Sequence, residues 1–160
     1  MIIQWKNSSS LTVDSPTYYR DCEVPQCHYE TMEIYVLSNG MYVLWGESNI
    51  IKTYGYIYKN DFNPLKPKEN LLSQHDGSCN DGQFKLFVDL EINIRYVLVV
   101  TTHHSEETGN FSVVISGPDN VIVNHISKYC HEFCLEYVIF WVNEMLFDQT
   151  MEDNRCIVSE

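Results

Sequence analysis

The sequence predicts an all-β chain, an antiparallel β-sandwich or jelly roll followed by a C-terminal helical appendage. Three observations carry this. From Gln4 to about Asn124 the apolar residues recur with a period of two, which is the spacing of a strand with one buried face. Turn chemistry built on Gly, Pro, Asn and Asp interrupts that pattern roughly every 8–12 residues, as in sandwiches and jelly rolls. Aromatics make up 13% of the 160 residues, eleven of them Tyr, and such rings fit pleated, half-buried surfaces.

The elements follow in order. In TMEIYVL (31–37), Met32, Ile34 and Val36 share a face. Asn39-Gly40 then marks a hairpin, with MYVLWG (41–46) as the return strand. YGYIY (54–58) sets Tyr54, Tyr56 and Tyr58 against Gly55 and Ile57, and one face of this set is expected to fill the gap between two sheets. KNDFNPLKPKEN (59–70) is a loop, and LLSQHDGSCNDG (71–82) ends in another turn-rich stretch. QFKLFVDLE (83–91) aligns Phe84, Leu86, Val88 and Leu90. RYVLVVTT (95–102) aligns Tyr96, Leu98 and Val100 against Val97 and Val99. NFSVVIS (110–116) aligns Phe111, Val113 and Ile115, and NVIVN (120–124) is a last short strand. The runs flanking residues 103–109 read as neighbouring antiparallel strands, with Gly109 giving the turn its freedom. Past residue 126 the pattern changes. Phe133, Tyr137, Trp141 and Met145 recur every four residues in a stretch without Gly or Pro, an amphipathic helix over 126–154. The expected organisation is thus a sandwich module over 4–124 and a helical tail.

Charge narrows the partners. Twenty-two acidic and ten basic residues give a formal charge of −12. Binding a phosphate backbone takes clustered Lys and Arg, and the cations here are scattered, which argues against nucleic acid and anionic membrane. No window approaches the 18 apolar residues of a spanning helix; the longest, YVIFWV (137–142), is too short.

Six cysteines, Cys22, Cys27, Cys79, Cys130, Cys134 and Cys156, allow up to three disulfides with fifteen pairings, or six reduced thiols. Asn7-Ser8-Ser9 and Asn110-Phe111-Ser112 are glycosylation sequons, which favour an oxidising, extracellular setting. MIIQWKNSSS is not a signal peptide, so the chain is expected to be a fragment of a longer one, to lack its true start, or to be intracellular.

The stretch YGYIYKNDFNPLKPKENLLSQHDGSCNDGQFKLFVDLEINIRYVLVVTTHHSEETGNFSVVISGP resembles secreted β-sandwich modules of large multidomain animal proteins of the rotifer type. Its layout is similar to the bacterial pre-peptidase C-terminal domain: a Tyr-rich strand, an acidic Gly-bearing loop, a Y-x-L-x-V strand and a T-G-N-F-S element. LTVDSPTYYRDCEVPQCHYETMEI (11–34) matches the opening of the module. The resemblance covers about residues 4–124, roughly three quarters of the chain. It implies an extracellular accessory module for adhesion, substrate association or spacing, in a longer multidomain parent, and no enzyme. In some relatives the acidic loop binds calcium. This chain departs from the aspartate run of those relatives, reading Gln74-His75-Asp76-Gly77-Ser78, and its tail after 126 has no counterpart.

Asp76, Asn80 and Asp81, between Gly77 and Gly82, supply part of a calcium shell of six to eight oxygens, with Ser78 and Asp61 as contributors, or simply hold a loop through Asx turns. His103 and His104, followed by Glu106 and Glu107, point to opposite faces of a strand end, which disfavours one shared metal and makes them loop surface. CHEFC (130–134) lacks a second ligand pair for zinc. Cys22 and Cys27 flank a segment that a disulfide can close. No Gly-x-Ser-x-Gly elbow or Cys nucleophile context is present. Trp5, Tyr18, Tyr19, Tyr42, Trp45 and the three tyrosines of YGYIY are expected in the core, or else exposed to stack on sugars. The expected function is a non-catalytic extracellular module that binds carbohydrate or protein through loops at one end of the sandwich. The competing reading is an intracellular interaction domain with reduced cysteines.

Overall fold

The computed structural model describes residues 2–20 and 24–126, so the expected helix beyond Ile126 and Cys22, Cys130, Cys134 and Cys156 lie outside the described residues. The described residues form ten strands and no helix: β1 (Ile3–Leu11), β2 (Thr17–Arg20), β3 (Val24–Val36), β4 (Gly40–Glu47), β5 (Thr53–Lys59), β6 (Leu71–His75), β7 (Lys85–Leu90), β8 (Tyr96–Thr102), β9 (Gly109–Gly117) and β10 (Val121–Ile126). They make two antiparallel sheets, one ordered β1-β9-β4-β7, the other β10-β3-β8-β5-β6, with β2 also paired to β3. This confirms the all-β, two-sheet expectation. Strands β1 and β3 to β9 cross from one sheet to the other at every step except β5 to β6, the order a jelly-roll winding gives.

The period of two places the core. Met32, Ile34 and Val36, Leu86, Val88 and Leu90, Tyr96, Leu98 and Val100, and Phe111, Val113 and Ile115 all lie between the sheets, as their alternation predicts. β8 is buried on both faces: its alternate residues Val97 and Val99 enter a second cluster on the outer side of the larger sheet, with Tyr18, Cys27, Tyr29, Tyr56, Tyr58 and Phe62.

That second cluster corrects the reading of YGYIY. Its tyrosines do not fill the gap between the sheets; Ile57 does, while Tyr56 and Tyr58 are buried on the opposite face. The loop over 60–70 makes this possible by folding back over the sheet. Phe62 seats its ring 4.9 Å from that of Tyr58, and the Tyr58 hydroxyl donates to the Pro67 carbonyl at 2.8 Å.

Two expected hairpins are also corrected. β3 and β4 belong to different sheets, so Asn39-Gly40 is a crossing. Gly40 starts β4 opposite Leu90, the Asn39 side chain accepts the Ile92 N–H at 2.7 Å, and Ser38 donates to Asp119 at 2.8 Å. These side-chain bonds stitch one end of the sandwich together where a hairpin ladder would otherwise continue. Likewise β8 and β9 lie in different sheets, and residues 103–108 arch between them. Gly109 is not a turn residue but part of β9, where a Cβ would stand 2.7 Å from Ile51 Cγ2. It is small because the chain packs closely there.

Candidate functional site: the loop-bearing end of the sandwich

Three connections meet at the end opposite Asn39: residues 48–52 between β4 and β5, 76–84 between β6 and β7, and 103–108 between β8 and β9. Gln83 ties the first two, donating from Nε2 to the carbonyls of Ile51 (2.9 Å) and Ser48 (3.2 Å) while its Oε1 accepts the Thr53 hydroxyl at 2.8 Å. The Thr53 N–H donates to Gly82 O at 2.9 Å, and the His103 N–H donates to Lys52 O at 3.1 Å. The Glu106 N–H reaches Gln26 O on β3 at 3.0 Å. The loops are therefore held to each other by the Gln83 side chain and by backbone groups, which leaves the exposed side chains on a fixed frame.

On the outer face of this end stands a ring stack. Tyr54 lies nearly parallel to Tyr56 (centroids 5.9 Å apart, planes at 15°) and to His103 (5.6 Å, 23°). His104 meets His103 edge-on at 4.8 Å. The Arg20 guanidinium lies 4.2 Å from the Tyr54 centroid, a cation over an electron-rich face, and it donates to the Thr102 carbonyl. Partial burial pushes the His103 pKa down, and the neighbouring His104, Arg20 and Lys52 push the same way, against an opposing pull from Asp76. Its neighbours are rings and cations, and no carboxylate is hydrogen-bonded to it among the described residues. Tyr54 is half-buried, and Lys52, His103 and His104 are exposed. The arrangement presents an apolar ring edge beside donor groups.

The acidic turn lies at the same end. Asp76 Oδ1 accepts the Ser78 N–H at 2.9 Å, and hydrogen bonds from Ser78 hold its carboxyl below the usual range. Gly77 O accepts from both Asn80 N and Gly82 N at 3.0 Å, and Asn80 Nδ2 donates to Gln83 O at 3.1 Å. Gly77 (φ 77°) and Gly82 (φ 78°) adopt left-handed backbone, as does Asp81 (φ 50°). A Cβ on Gly77 would stand 2.5 Å from the Gly82 carbonyl carbon. His75 closes the base of the turn, its Nδ1 accepting the Gly77 N–H at 3.0 Å. The turn thus uses Asp76 and Asn80 to hold its own backbone, with Asp81 at a left-handed position between them and Gly82. No group of three or more His, Cys, Asp or Glu gathers among the described residues. Asp61 lies at the opposite end, 3.8 Å from Arg95.

The two sequon asparagines sit on the paired strands β1 and β9, on opposite faces. Asn110 is exposed and faces outward, opposite Ser10. Asn7 faces inward. Its Nδ2 lies 2.8 Å from His125 Nε2, and its Oδ1 accepts the Ser8 N–H at 2.9 Å. His125 Nδ1 in turn lies 2.7 Å from Glu30 Oε1, and Ser9 donates to the other oxygen of Glu30. Of the cysteines, Cys27 is buried with its Sγ 3.7 Å from Val24 O, and Cys79 is exposed in the acidic turn.

Arg20 and Lys52 were not singled out from the sequence. β2 brings Arg20 to Tyr54 by pairing with β3, and local periodicity carries no signal of that. The expectation that His103 and His104 are plain loop surface needs refining: both are exposed, but His103 is built into the stack. Among the described residues no helix is long and apolar enough to cross a membrane. No family model, curated protein or solved structure matches the chain.

Proposed function

We propose that this chain is a non-catalytic extracellular recognition module, an adhesion or spacer unit of a longer multidomain protein, whose loop-bearing end binds carbohydrate or protein. One observation supports this above the others: the stack of Tyr56 and Tyr54 on β5 with His103, Lys52 and His104 standing beside it on the adjoining connections, which backbone hydrogen bonds hold in place. A half-buried ring edge with donors around it suits a ligand that has both apolar and hydroxyl or carbonyl surfaces. The side chains about His103 favour binding over proton transfer, since general acid–base work wants a partner that orients the imidazole. The exposed sequon at Asn110 supports the extracellular setting. Calcium enters this reading only through Asp76, Asn80 and Asp81; a rise in melting temperature on adding millimolar calcium supports it, and an unchanged one removes it.

The test is a screen of the protein against an array of glycans and extracellular proteins, repeated with Tyr54→Ala and His103→Ala. Binding lost in both variants, with the fold retained by circular dichroism, is the expected result. Binding unaffected by either variant places the ligand elsewhere. A protein from its native source whose six cysteines all react with a thiol reagent without reductant, and whose asparagines carry no glycan, is intracellular.

A further inference from the structure

We propose that a glycan on Asn110 lies back over the outer face of the four-stranded sheet and covers Trp45, Met41 and Phe87; this rests on the extracellular reading above. That outer face is apolar where it need not be. Phe87 is 60% exposed and Met41 51% exposed, with half-buried Val43 between them and half-buried Trp45 on the far side of Val43 from Met41. The Lys85 ammonium stands 5.7 Å from the Phe87 ring centroid. Such side chains in one patch call for a cover.

The acceptor stands on the same face. Along β9 the outward residues are Asn110, Ser112, Val114 and Ser116, and Val114 pairs with Trp45. Val114, level with Trp45, is four residues or about 14 Å along the strand from Asn110, Phe87 and Val43 are level with Ser116 at about 20 Å, and Met41 is at about 27 Å, the reach of an extended branched glycan. The path between is hydroxyl-lined: Ser8, Ser10, Ser48 and Ser112 border a groove that begins at Asn110 and runs to Glu47. Trp45 is fixed at the far end of this path, its Nε1 donating to Glu47 at 3.0 Å, while Lys6 holds the same carboxylate at 2.6 Å. Sugar hydroxyls meet serines first, and sugar C–H faces then meet the indole. The covalent link keeps the local sugar concentration high, so weak contacts suffice.

Asn7 is unsuited to this role. Its amide is committed to His125 and Ser8 between the two sheets, and a sugar on Nδ2 would wedge β1 away from β10. At Asn110 no such bond is broken. Transfer there is from a lipid-diphosphate-linked oligosaccharide. The Nδ2–C1 bond forms, the C1–O bond to the diphosphate breaks, the diphosphate lipid leaves, and the amide gives up one proton.

The experiment uses the full chain secreted from animal cells behind an added signal sequence. Mass spectrometry reads occupancy at Asn110 and Asn7. Hydroxyl-radical footprinting then reads Met41, Trp45 and Phe87 before and after an endoglycosidase trims the glycan to a single sugar, with buried Met32 as the internal control. Ser112→Ala, which removes the sequon and keeps Asn110, gives the bare protein. The expected result is occupancy at Asn110, and several-fold more labelling of the three side chains after trimming, reaching the level of Ser112→Ala. Asn110 occupied with labelling unchanged by trimming overturns the inference and leaves the extracellular reading standing. Asn110 unoccupied in the secreted, folded protein overturns the inference, while the extracellular reading itself is overturned by the thiol test above.

Discussion

The amide of Asn7 and the imidazole of His125, 2.8 Å apart, join β1 of one sheet to β10 of the other. Both strands lie at sheet edges, where the apolar core runs out, and His125 passes the link on to Glu30 on β3. Because Asn7 Oδ1 already accepts from Ser8, Nδ2 donates to Nε2 and the imidazole donates from Nδ1 to Glu30. Asn7→Ala or His125→Ala is expected to cost about 1 kcal/mol each, the usual worth of such a bond. The double variant should cost less than the sum of the two, because one interaction is counted twice. Urea unfolding of the four proteins measures this.

His103 makes stability depend on pH near neutrality. Its pKa is lowered in the fold, first by partial burial and then by His104, Arg20 and Lys52, so the unfolded chain binds this proton at a higher pH than the folded chain does. As pH falls through the ordinary histidine value, about 6.5, the unfolded state takes up the proton first and stability drops. The urea midpoint should therefore fall between pH 7.5 and 5.5, and by less in His103→Gln. The effect is small because the ring is exposed and solvent screens it. An identical pH dependence in both proteins would mean that His103 is not the group responsible.

Gly55 and Gly46 make room for one ring. A Cβ on Gly55 would lie 2.4 Å from Phe84 Cδ2, and one on Gly46 2.8 Å from Phe84 Cε1. Phe84 is fully buried between β4 and β5, so it cannot move aside without displacing its neighbours. Gly55→Ala is expected to destabilise by about 1–3 kcal/mol, the cost of overpacking. Adding Phe84→Leu should recover part of that loss if the clash is with the ring. Thermal unfolding followed by near-ultraviolet circular dichroism reads both.

The buried faces of the strands were legible because alternation is a local property. Met32 to Val36, Phe84 to Leu90 and Phe111 to Ile115 each showed their core side in sequence. Which sheet a strand joins was not legible. Asn39-Gly40 has the composition of a hairpin, yet β3 and β4 part there, because Gly40 finds its partner in Leu90, fifty residues on. The same holds for the arch from His103 to Thr108. The stack at Tyr54 was half legible: the tyrosines and histidines stood out, but their meeting with Arg20 depends on β2 folding onto β3. The short TYYR segment gives no long-range sign of that.

The loop over 60–70 is expected to behave as part of the core. Phe62 is 1% exposed and packs edge-on against Tyr18 at 5.6 Å and Tyr29 at 5.4 Å, besides its contact with Tyr58. Phe62→Ala would remove the ring that covers the outer cluster and open a cavity over Val97 and Val99, at a cost of about 3–5 kcal/mol. Tyr58→Phe removes only the hydroxyl that holds Pro67 O. That should cost about 1 kcal/mol, with more because the Pro67 carbonyl loses a buried donor. If the loop were a solvated connection, both variants would unfold at the wild-type urea midpoint. If it is a covering layer, Phe62→Ala shifts the midpoint several times further than Tyr58→Phe. Limited trypsin proteolysis after Lys68 should then cleave Phe62→Ala first, because losing that anchor frees the loop that carries this lysine.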